Sequence, residues 1–101
     1  MNAQPTTENS TNGEVKKYMF KLLKTGETVI LTFSTSLTLA QFIFAIGNEF
    51  KERYGIDKYK LIEGGTKLAE AGQEYEFRNV PTRITTIFQF FGNTNTFYVH
   101  S

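Results

Sequence analysis

Few residues in this chain of 101 could do covalent chemistry. It has one histidine, His100, near the end of the sequence, and no cysteine. A lone terminal imidazole is far more often a surface group than a metal ligand. Without thiols there is neither a disulfide nor a thiolate metal site. Glu70, Glu74 and Glu76 fall in a polar stretch that reads as a solvated face rather than as an acid–base pair in a pocket. Glycines are scattered and form no phosphate-cradling loop ahead of a helix. The residue types therefore point to no catalytic group, no metal and no cofactor, and the expectation is a protein that acts through its surfaces and is not an enzyme.

Composition narrows the choice of partner. Eleven basic and ten acidic residues are dispersed along the chain for a formal charge of +1, which is not the footprint that phosphate binding requires, so nucleic acid is not expected as a partner. No run approaches the roughly twenty apolar residues of a membrane span, so no membrane partner is expected either. A cysteine-free composition fits a reducing compartment, and the expected location is cytoplasmic or nuclear. With 40% hydrophobic residues, including ten Phe and five Tyr, the chain can build one core but not two. Residues 1–14 are almost free of large apolar side chains and cannot offset their ordering entropy, so they read as a flexible tail.

The elements that must carry any surface are legible from periodicity. Tyr18, Phe20 and Leu22 alternate with Lys17, Met19 and Lys21, and Val29, Leu31 and Phe33 alternate with Thr28, Ile30 and Thr32. Period two means strands. A turn at Thr25-Gly26 would place Leu22 opposite Val29, Phe20 opposite Leu31 and Tyr18 opposite Phe33, with all six on one face. Thr38 followed by Gln41 is a capping box, and the helix it opens is predicted over Leu39 to Tyr54, ended by Gly55 with Ile56 folding back. At about 100° per residue, Leu39, Phe42, Ile43, Ile46, Phe50 and Tyr54 share an arc that must cover the hairpin. Phe44 falls outside that arc and is a candidate for partner binding.

Further on, Lys60 to Leu68 reads as a short strand, a Gly64-Gly65 turn and a return strand, and Ala69 to Thr82 as an irregular connector anchored by Phe77 and Val80. Thr85 to Phe91 is β-prone and is predicted to enter the sheet beside the first strand. Gly92 to Asn95 has turn chemistry, and Thr96 to His100 is a fresh β-prone run. Phe91 would then face Thr96, Phe90 face Phe97 and Phe88 face Val99, giving a terminal hairpin that projects from the sheet.

This order of elements, with the Thr-Gly turn, Thr38 at the helix cap, Gly55-Ile56 after the helix, and Leu61-Ile62-Glu63-Gly64 followed by Leu68, resembles the ubiquitin and SUMO family over roughly Lys17 to Phe91. The resemblance implies an α+β fold of the β-grasp type, a mixed ββαββ sheet with one helix, over residues 15–91. A C-terminal β-hairpin arm at 92–101 would be an addition to it. Covalent modifiers of this family end in Gly-Gly on a free tail, whereas this sequence reads Tyr98-Val99-His100-Ser101 at its end. The alternative is a precursor that a protease trims to expose Gly92 for conjugation.

Strand parity places Met19, Leu23, Ile30, Ile62, Ile87 and Phe91 on the sheet's outer face, among Lys17, Lys21, Lys60, Thr28, Thr32 and Gln89. Ile62 and Phe91 match positions of the family's hydrophobic recognition patch, and Lys60 matches a basic position beside it. Contiguous apolar side chains ringed by lysine make an interface composition. The arm supplies a second candidate surface in Phe97 and Tyr98, because unpaired strand edges invite β-augmentation or self-association. The expected function is that of a non-conjugated interaction domain, an adaptor or a small subunit of a larger complex.

Overall fold

The computed structural model describes residues 14–70 and 80–101. Residues 1–13 of the tail expected at 1–14, and the connector residues Glu74, Glu76 and Phe77, lie outside the described residues, whereas the Glu14 carbonyl accepts from the Thr35 N–H at 2.7 Å. The alternation seen in the sequence becomes β1 (Val15–Leu22) and β2 (Thr28–Ser34), an antiparallel pair. Their register differs from the expected one by two residues, with Phe20 opposite Val29 and Tyr18 opposite Leu31. The loop is longer than two residues: the Leu22 N–H donates to the Glu27 carbonyl, and the Gly26 N–H returns to the Leu22 carbonyl, each at 2.8 Å. Gly26 takes φ 82°, which a side chain would oppose. A slip of two leaves every side chain on its original face, so Tyr18, Phe20, Leu22 and Val29 are buried, and Leu31 and Phe33 pack against the same core.

Helix α1 (Leu39–Tyr54) opens on the capping box: the Gln41 N–H donates to Thr38 Oγ1 at 3.2 Å, and the Thr38 N–H donates to Gln41 Oε1 at 3.0 Å. It closes at Gly55, φ 68°, where the Ile56 N–H reaches back to the Phe50 carbonyl at 3.0 Å. Leu39, Phe42, Ile43, Ile46 and Phe50 are buried against one face of the sheet. β3 (Lys60–Glu63) and β4 (Thr66–Glu70) are joined by Gly64 and Gly65, both at positive φ. A bulge opposite Leu61 and Ile62 turns both Leu68 and Ala69 inward.

The C-terminal part departs from the expectation. The expected strand at 85–91 is instead a short helix, α2 (Ile87–Phe91), and the segment expected to project as an arm is β5 (Thr96–His100) in the middle of the sheet. β5 runs parallel to β1 and antiparallel to β3, giving the order β2-β1-β5-β3-β4. The boundary drawn between 91 and 92 thus falls inside a single core.

Two physical reasons explain the exchange. Thr86 and Gln89 form a second capping box, with bonds of 3.1 and 2.9 Å, so the start of α2 is as fully satisfied as that of α1. Helical spacing then puts Ile87 and Phe91 on one inward face, whereas a strand there would place Phe88 and Phe90 together. Thr96 to His100, by contrast, alternates cleanly, burying Phe97 and Val99 and exposing the rest.

The Phe97 ring lies 5.4 Å from that of Phe20, 4.8 Å from Phe91 and 6.0 Å from Phe42, so it joins both helices to the sheet. Burial of a single such ring contributes about 1.5–3 kcal/mol. The result is a small α+β structure with a five-stranded mixed sheet and one main helix, an arrangement compatible with a β-grasp.

Candidate interaction surface

α1 and α2 cover one face of the sheet, and none of the described elements covers the other. Side chains on the open face follow from strand pairing. Ile30 stands opposite Met19, and Met19 opposite Thr96. In the next row Thr28, Lys21, Tyr98, Ile62 and Lys67 follow one another from β2 across to β4. A third row sets His100 beside Lys60 and Lys60 beside Glu70. Leu23 continues the line of β1 into this row, its N–H donating to the Val99 carbonyl at 2.9 Å.

The open face therefore brings together six of the residues expected at a binding surface: Met19, Leu23, Ile30, Lys60, Ile62 and Tyr98. Ile30 is 56% exposed, Leu23 49% and Tyr98 38%, whereas Ile62 is half-buried between its neighbours. Lys17, Lys21, Lys60 and Lys67 stand among these apolar groups. Lys67 is engaged by Glu70 at 3.0 Å, and that bond, with the lysine charge, lowers the Glu70 pKa below the ordinary carboxylate value. Surface pairs of this kind add little to stability.

The remaining expected residues lie elsewhere. Ile87 and Phe91 were placed on the outer face by strand parity, but α2 turns both into the core. Phe97, expected on an exposed arm, is fully buried because β5 is hydrogen-bonded on both sides and its odd-numbered residues face the helices. Phe44 is 66% exposed on α1, in the helical layer and away from the open sheet face. His100 and Lys67 belong to the face although sequence reasoning did not place them there. The alternation of Thr96-Phe97-Tyr98-Val99-His100 was the available signal for His100.

Gly92 ends α2 with φ 62° and ψ −117°, its N–H bonded to the Phe88 carbonyl at 2.9 Å. Cleavage after it would remove β5, and with it Phe97, Val99 and the strand that joins β1 to β3 among the described residues.

A hollow of about 370 Å³ opens where the hairpin loop meets the end of α1. Lys24, Glu27, Asp57 and Lys58 line it together with Leu22, Tyr54 and Ile56, so its charges are mixed in sign, and its lining has no imidazole or thiol. Among the described residues no group of three His, Cys, Asp or Glu side chains could hold a metal ion, and no helix is long and apolar enough to cross a membrane. Neither a protein-family model nor a curated protein matches this chain.

Proposed function

We propose that this chain is a ubiquitin-like β-grasp interaction domain, not conjugated and without catalysis of its own, that serves as an adaptor or as a small subunit of a larger complex in the cytoplasm or nucleus. The observation that carries the reading is the uncovered sheet face, on which Leu23 just past β1, Tyr98 of β5 and Ile62 of β3 lie among lysines. An apolar centre with a cationic surround suits a protein segment that offers apolar side chains flanked by carboxylates. Support for the fold comes from the strand order β2-β1-β5-β3-β4 with α1 packed across it. Exposure of Gly92 for conjugation, the alternative, would require loss of the central strand.

The test is capture of binding proteins on the immobilised chain beside Ile62→Ala and Lys21→Glu. Ile62→Ala should lower capture at least tenfold while the thermal midpoint stays within a few degrees. Lys21→Glu should weaken capture and its dependence on salt. Retention of the same binders by both variants would overturn the proposal, as would gross unfolding of Ile62→Ala.

A further inference from the structure

The two edges of the sheet are built differently. β4 is interrupted by a bulge and carries the charged pair Lys67 and Glu70, both features that discourage another strand from pairing. β2 has neither. Its seven residues, Thr-Val-Ile-Leu-Thr-Phe-Ser, contain no charge and no proline, and its register with β1 is continuous.

The hydrogen-bond phase shows which amides of β2 are free. Leu22 bonds Glu27 at one end of the ladder and Thr35 bonds Glu14 at the other. Hydrogen-bonded pairs alternate along an antiparallel ladder, so Val29, Leu31 and Phe33 direct their amides to β1. The amides of Thr28, Ile30, Thr32 and Ser34 point outward. Of these groups only the Ser34 carbonyl meets a backbone partner among the described residues outside the strand ladder, the Leu37 N–H at 3.2 Å. Leu31 and Phe33, on the covered face of this strand, are only partly buried, whereas Tyr18 and Phe20 beside them in β1 are fully buried.

We infer that β2 is a self-association edge, to which a second copy of this chain adds its own β2 antiparallel about a two-fold axis through Leu31. The strand is complementary to itself in that register. Leu31 stands opposite Leu31 and Phe33 opposite Val29 of the second copy, so the partly exposed Leu31 and Phe33 side chains are covered by apolar partners. Ile30 stands opposite Thr32 and Thr28 opposite Ser34, so the outward amides of one copy meet those of the other. A charge at or beside the two-fold axis would meet its own copy, and β2 carries none. A strand of unrelated sequence would gain the same backbone bonds without this match on both faces.

Light scattering or sedimentation velocity on the full chain, from micromolar to sub-millimolar concentration, tests the inference. The mass should rise from that of a monomer toward twice that value. Thr32→Pro removes only an outward N–H, so it should fold and remain monomeric at concentrations where the unaltered chain is mostly dimer. The chain has no cysteine, so Leu31→Cys gives a single thiol, and under mild oxidation it should cross-link at least tenfold faster than Ile62→Cys on the open face. The inference is overturned if the unaltered chain is monomeric throughout, if folded Thr32→Pro still dimerises, or if the two cysteine variants cross-link at equal rates. Should Thr32→Pro fail to fold, the cross-linking comparison decides.

Discussion

Replacing Tyr18 by Phe should stabilise this protein. The Tyr18 side chain is fully buried, with its ring 5.8 Å from that of Phe42 and 6.0 Å from that of Phe33, and its hydroxyl has no hydrogen-bond partner among the described residues. Burying a hydroxyl without a partner costs about 1–3 kcal/mol in proteins. Removing one oxygen leaves little space, so the net gain should be about 1 kcal/mol, equivalent to a rise of about 4–8 °C in the midpoint for a domain of this size.

Burial also pushes the Tyr18 pKa up from its ordinary value, because the phenolate would be desolvated. The unfolded chain ionises near pH 10, below the folded value. The stability contributed by a neutral Tyr18 is therefore complete below about pH 10 and is lost as pH rises through the folded pKa. In that window each pH unit costs up to about 1.4 kcal/mol. Urea melts of both proteins at pH 7 and pH 11 measure the two effects, and the advantage of Tyr18→Phe should widen at the higher pH. A variant less stable by 1 kcal/mol at pH 7, or an advantage that does not change with pH, would refute the reasoning.

Phe97→Ala should cost about 3–5 kcal/mol, read as a lowered urea midpoint, because the ring sits between the sheet and both helices; a loss below about 1 kcal/mol would restore the exposed-arm reading. Thr38→Ala should cost about 1 kcal/mol by removing the side-chain acceptor for the Gln41 N–H, checked by the same melts, with no change in any partner captured on the open face.

Legibility followed how local each signal was. α1 could be placed to the residue because its capping box and the left-handed glycine at its end are both local features. The hairpin register was off by two because nothing in Leu23-Lys24-Thr25-Gly26 distinguishes a two-residue turn from the longer loop that forms. The faces survived because the slip was even. α2 was mistaken for a strand because Ile and Phe are β-prone, although Thr86 and Gln89 carry the same box that identified α1. That misplacement moved the last strand of the sheet to the wrong residues and turned Ile87, Phe91 and Phe97 from core into surface. Strand parity assigns Met19, Leu23, Ile30, Lys60 and Ile62 to the open face because it depends on neither the loop length nor the strand order, whereas Tyr98, expected on the projecting arm, reaches that face only because β5 is the central strand.

The position of β5 also has a kinetic side. Met19 pairs with Thr96 and Lys21 with Tyr98, so the centre of the sheet joins segments from near the two ends of the sequence. Pairing at such separation pays its loop-closure entropy before it yields any contact, which slows folding. On the ribosome, β1, β2 and α1 emerge early, but β1 and β3 face each other across a gap until Thr96 to His100 leaves the exit tunnel. Until then Phe20 and Leu61 have no strand between them, and the nascent chain exposes the edges and rings that chaperones recognise. Completion of this sheet therefore waits for Thr96 to His100, and a message truncated before Thr96 would yield a chain with two open edges at its centre.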